Sequence, residues 1–408
     1  MLLNKNNKFL YFYAFALFIL SAFYGLLLRW NFTFPLKFIE YRNFLQSHSH
    51  VAFLGWGYLV TIGAIKYYFI PKITHKKAYN FALTIILVSL TLMLVSFPLS
   101  GYKVFSIVLL SVFGITSYIL SLLLLKDIRG NNTAVKLIKY GIYYYLLSSL
   151  ATWFLAGVLV TQGKTALYYN TIYFYLHFLY NGYFAFVLFG LLFKIFEVKQ
   201  IAISNKFQKK FFLYLNIACI PAYSLSVLWS NVSLVYHIIG FVASILQLIS
   251  LFFLLKIMRE ALGQLNWSRL SKLLLKFGLL AYSLKIIIQI ASAFPFIVKK
   301  SLALKPFFII GYLHLFTLGF MSVLLFLILS KLKILEFKSK VSRLGIVTFL
   351  LGILVTEFLL FSQGFLLLNG LKPIVSYNLL LLIFSAVMII GLVLIFVNQF
   401  RKQPTRIN

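Results

Sequence analysis

The chain has 408 residues, 62% of them hydrophobic and only 11% charged, with a formal net charge of +32 and a mean hydropathy of +0.98. Soluble domains carry about 45–50% apolar and about 25% charged residues, and have too little interior to hide this much apolar surface. A water-soluble globular fold is excluded. The basic residues sit in short clusters between apolar runs, with no continuous basic face for nucleic acid.

A membrane-crossing helix needs about 20 mainly apolar residues. In chain order twelve stretches qualify, roughly 9–28, 50–70, 79–98, 103–125, 140–161 and 172–196, then roughly 211–230, 234–256, 273–296, 306–330, 345–368 and 376–400. The first is too long for a typical signal-peptide core and lacks a small-residue cleavage site, so it is expected to remain as a span. The apolar runs are continuous and not alternating, which excludes a closed barrel.

Loops after even-numbered spans are rich in lysine and arginine, from Lys72, Lys76 and Lys77 after the second to Arg401, Lys402 and Arg406 in the tail. The intervening loops are poorer, two exceptions being Arg29, Lys37 and Arg42, and Lys299, Lys300 and Lys305. Positive charge is retained on the cytoplasmic side. The expectation is an all-α polytopic membrane bundle of about twelve transmembrane helices, N-terminus in and C-terminus in. It forms a single transmembrane domain over residues 1–408 in the cell (inner, cytoplasmic) membrane, with the lipid bilayer as partner and no nucleic acid. No repeat between the halves is evident. One cysteine, Cys219, excludes a disulfide framework, a cysteine-ligated iron–sulfur cluster and a CxxCH haem attachment.

Ionisable groups inside a bilayer are costly and mark candidate sites. Lys285 lies in the ninth span, with Gln289 one turn later, and Glu357 is the one acidic residue inside a span. They read either as an ion pair between helices or as a proton relay, with Lys285 also a candidate anchor for a propionate. His75 falls in a basic loop. The other five histidines, His48, His50, His177, His237 and His314, lie in or at the start of even-numbered spans, which places all five in the outer half of the membrane. Imidazole is the commonest metal ligand and a usual axial ligand of haem iron.

His48 and His50 are two apart, about 200° around a helix, so they point to opposite sides of it. They would serve two cofactors flanking that helix, unless His48 merely caps the helix start. Glycine follows three histidines at one spacing: His50 to Gly55, His177 to Gly182, His314 to Gly319. Glycine in a span admits a partner helix or a flat cofactor, although residues five apart do not share one face of an α-helix.

The segment from His48 through Gly55, H-x-H-x-x-x-x-G, resembles the haem-ligating helix of nitric oxide reductase large subunits and oxidase subunits I. It is also similar to the W-H-x-H-E-x-x-x-G segment of NnrS-type membrane proteins, without that Trp and Glu. The resemblance to the haem–copper oxidase superfamily implies haem b, with His48 and His50 as proximal ligands of two haems. His314, in a segment similar to a low-spin-haem helix, would complete bis-histidine ligation. His177 and His237 would be left for a second metal, with copper the candidate, and a redox partner protein would supply electrons. The family carries its H-x-H on the tenth span, where this chain has it on the second, and a complete oxygen-reducing centre needs six histidines where five are offered.

Three functions are therefore carried forward. The first is a haem-binding membrane protein of the oxidase-like superfamily, handling nitric oxide or oxygen, an oxidoreductase but not a conventional oxygen reductase. The second is a twelve-span secondary transporter working through Lys285 and Glu357. The third is a structural or assembly membrane protein. No Walker, H-E-x-x-H or Rossmann motif is present.

Overall fold

The computed structural model describes residues 8–37, 39–230 and 232–400. The tail basic residues Arg401, Lys402 and Arg406 lie outside the described residues. Within them the chain is helical throughout, with no strand. We number the helices α1 (Phe9–Thr33), α2 (residues 41–69), α3 (Lys76–Ser100), α4 (Val104–Asp127), α5 (Thr133–Gln162), α6 (Ala166–Val198), α7 (Asn205–Cys219) and α8 (Pro221–Ser230). They continue as α9 (Leu234–Gln264), α10 (Arg269–Ser292), α11 (Pro295–Lys331), α12 (Lys340–Leu368) and α13 (Tyr377–Asn398).

Ten of these are long and apolar enough to cross a membrane, and α7 with α8 makes an eleventh if that bent pair is one span. The expected second span falls in α2, a continuous helical run that stays outside this set. Its two histidines, Trp56, Tyr58 and Lys66 dilute its apolar content. The helix starts at Tyr41 after Glu40, so His48 and His50 lie two turns inside it and His48 does not cap its start.

Local chemistry explains the boundaries. Asn132, Ser204, Ser268 and Ser339 precede α5, α7, α10 and α12, and each side chain accepts from a backbone N–H of the first turn. Pro221 has no N–H to continue α7, and the chain bends there by 49°.

The chain divides into two compact units. The first comprises the described residues up to Ala64, Lys76–Ser117 and the described residues from Leu325 onward. Its core is aromatic: the Trp56 ring lies flat on Phe18 at 4.8 Å, and Phe326 meets both rings. Here α12 and α13 touch backbone to backbone, a Cβ on Gly391 falling 2.6 Å from the Phe349 nitrogen. The second unit comprises Ile65–His75 and Tyr118–Leu324. α6 and α11 are the most enclosed helices: 94% and 78% of their most apolar windows are buried, against 28–56% for the other eight. They therefore face protein more than lipid.

The three histidine–glycine pairs sit on one backbone device. Directly after His50, His177 and His314 the helix loosens into a π-helical stretch, Val51–Tyr58, Phe178–Phe184 and Leu315–Ser322. Hydrogen bonds there run from i to i+5, so a residue five further on returns above the histidine. That corrects the α-helical reading of the spacing.

Each glycine admits the helix before it. A Cβ on Gly55 would fall 2.9 Å from Leu17 of α1, on Gly182 2.5 Å from Tyr144 of α5, and on Gly319 3.1 Å from Ala281 of α10. The next residue is a buried aromatic each time, with Trp56 on Phe18, Tyr183 on Tyr145 and Phe320 on Tyr282. The chain length between paired residues is the same in all three. The same helix-pair device thus recurs three times along the chain.

Candidate functional site

In the first unit His48 and His50 separate toward different neighbours. The His48 ring lies on Gly25 of α1, where a Cβ would fall 2.8 Å from its Cε1. Its Nδ1–H donates to the Ser21 carbonyl at 2.8 Å, and the Ser21 hydroxyl donates back to the His48 carbonyl at 2.8 Å. A carbonyl can only accept, so the proton is on Nδ1 and the Nε2 lone pair is left without a partner among the described residues. His50 instead shares a 2.6 Å hydrogen bond between Nε2 and the Tyr102 hydroxyl and rests against Phe97.

Glu357 is buried in α12 and shares its electrostatic surroundings with Arg29 and Tyr377. Lys285, buried in the second unit, donates to Gln247 Oε1 at 3.3 Å, so the polar partner it takes is an amide and not a carboxylate.

His177 is fully committed. Its Nε2–H donates to the Cys219 carbonyl at 2.8 Å, and Nδ1 accepts from Asn181 at 3.2 Å. The reason lies in the bend. Beyond Cys219 the chain tightens, Tyr223 N–H donating to the Ile220 carbonyl, and the Cys219 carbonyl needs another donor in a region without water. His237 caps the end of α10, Nδ1–H donating to the Ala293 carbonyl at 2.8 Å, with Nε2 left over. His314 is half-buried in α11 at the start of its π-helical stretch. Among the described residues no three His, Cys, Asp or Glu side chains gather as a metal-holding group.

Beside His177 the second unit contains a half-open cavity of about 240 Å³ lined by α6, the bent α8, α10 and α11. Its walls are mostly apolar, yet Asn181, Gln289 and Trp229 bring polar atoms to it, and Ser226, Ser292 and Lys305 add donors. The carbonyl oxygens of Asn181 and Gln289 and the indole N–H of Trp229 are buried with no hydrogen-bond partner among the described residues. Pockets of this kind, apolar with a few converging polar groups, are where small molecules bind. Sequence reasoning noted Gln289 only as a neighbour of Lys285 and missed Asn181 and Trp229. An amide four residues after His177 was the available signal; nothing in the sequence marks Trp229, because its place depends on the bend at Pro221.

No protein-family model matches the chain, and no curated protein matches it.

Proposed function

We propose that this is a haem b-binding multi-pass membrane protein in which His48 Nε2 is an axial ligand to the iron. The observation that carries the reading is the hydrogen bond from His48 Nδ1–H to the Ser21 carbonyl. Histidines that bind metals characteristically donate their other ring N–H to a carbonyl or carboxylate, which fixes the tautomer and raises ligand basicity. Gly25 supports it by making room for the ring itself. On this reading His50, whose Nε2 meets Tyr102, becomes a pocket residue. Bound haem supplies a redox-active iron suited to nitric oxide or oxygen. The chain's own contribution is to hold one imidazole in one tautomer and to keep the site dry.

The test is a reduced-minus-oxidised visible spectrum with a pyridine haemochrome assay, on detergent-purified protein from cells supplied with haem. A b-type signal is expected, lost in His48→Ala and in Gly25→Val, whose side chain displaces the ring, and kept in His177→Gln. Each variant must run as one monodisperse species on gel filtration. A colourless wild-type protein overturns the reading and turns attention to transport through Lys285 and Glu357.

A further inference from the structure

The cavity of the second unit uses atoms that the haem reading does not. Gln289 and Asn181 are 5% and 8% exposed, and each holds a carbonyl oxygen without a donor. An orphaned buried acceptor loses its hydration without recompense, so two beside one cavity mark a place where something donates. Trp229 offers the reverse, an indole N–H without an acceptor. Asn181 is held in place by its bond to His177 and its contact with Tyr312, so its oxygen is fixed. The occupant must carry a hydrogen-bond donor for an amide oxygen and an acceptor for the indole.

Charge narrows the class. Lys305 is the one Lys, Arg, Asp or Glu side chain in the described wall, and its Nζ lies 4.9 Å over the Trp229 ring. A cationic ligand would meet that ammonium and find no carboxylate. A carboxylate would suit Lys305 but press its oxygens on the two amide oxygens, which offer no proton. A neutral hydroxyl suits both kinds of partner, because its one O–H donates to an amide oxygen while its own oxygen accepts from the indole. Tyr173, Tyr180, Phe308 and Tyr312 provide aromatic wall area for a flat ring, with aliphatic side chains between them.

We infer that this cavity is a binding site for a neutral, hydroxyl-bearing aromatic molecule, a lipid-soluble phenol or hydroquinone. Its ring lies among the tyrosines, and its hydroxyl donates to Gln289 and accepts from Trp229. The volume suits one substituted ring.

A matched set of probes tests this on the full-length protein in detergent: 4-propylphenol, 4-propylbenzoate and 4-propylbenzylammonium, measured by equilibrium dialysis against empty micelles. Saturable binding of the phenol is expected, with the two charged probes at least tenfold weaker. Gln289→Leu, which removes one acceptor and breaks no protein hydrogen bond of that side chain, should weaken the phenol about tenfold, as should Trp229→Phe. No saturable binding would mean a cavity holding water alone and would overturn the inference. So would equal or tighter binding of either charged probe, or phenol binding indifferent to both substitutions. Because the readout is dialysis, a colourless protein that binds the phenol separates this site from the haem reading.

Discussion

In the first repeat the Ser21 hydroxyl donates to the carbonyl of His48 at 2.8 Å; in the second the Ser148 hydroxyl donates to the carbonyl of Tyr175, also at 2.8 Å and across the same 27 residues. Both bonds tie a helix to its successor just before the π-helical stretch, and both stretches receive their neighbour at a glycine. The difference is the side chain carried by the residue whose carbonyl accepts. His48 presents an imidazole with its Nε2 lone pair free, whereas Tyr175 presents a phenol. The third repeat departs further: Lys285 and Tyr312 occupy the corresponding places, and Lys285 turns to Gln247. One backbone frame is thus used three times, and the chemistry differs by the side chains set on it.

Four pairs of substitutions would break or sharpen that comparison. The largest effect belongs to the ring itself. His48→Ala should abolish the b-type spectrum outright, while Tyr175→Phe leaves it intact; equal loss in both would mean that the frame, and not the imidazole, is what matters. Next comes the shared glycine contact. Gly182→Ala drives a methyl to 2.5 Å from Tyr144 Cβ and should destabilise by about 1–3 kcal/mol, seen as a lowered melting temperature in detergent. Gly157→Ala, in α5 with nothing within 4 Å, is its control and should be neutral or stabilising by up to about 1 kcal/mol.

His177→Leu strips the donor from the Cys219 carbonyl and should cost about 1–3 kcal/mol in the same melt. Recovery of part of that loss in His177→Gln would identify the histidine as a cap on the broken helix. The smallest effect is Ser148→Ala, about 0.5–1.5 kcal/mol for one hydrogen bond. Ser21→Ala should match it in stability and, because it loosens the segment holding His48, also shift the haem spectrum.

Much of the helical architecture is legible in composition and run length alone. A bilayer forces each apolar run to satisfy its backbone within itself, so a run of about 20 residues is a helix wherever it packs. The second span was harder, because the residues that make α2 worth noticing also lower its hydropathy, and its start at Tyr41 lies in a polar stretch. Of the site, the histidine and glycine positions were visible, and their common spacing was the trace of the π-helical stretches. That spacing was uninformative under α-helical geometry, since the i to i+5 ladder is a backbone choice no residue type announces.

The sequence by itself determined that the chain is helical and where its helices long and apolar enough to cross a membrane fall, since these follow from local hydropathy and residue type. Tertiary structure alone decided what each histidine does. His48, His50, His177 and His237 are the same imidazole in similar apolar surroundings. What distinguishes them is whether the nearest partner is the Ser21 carbonyl, the Tyr102 hydroxyl, a carbonyl exposed by a proline bend or the end of α10. Those partners lie between 27 and 56 residues away along the chain, beyond the reach of any local pattern.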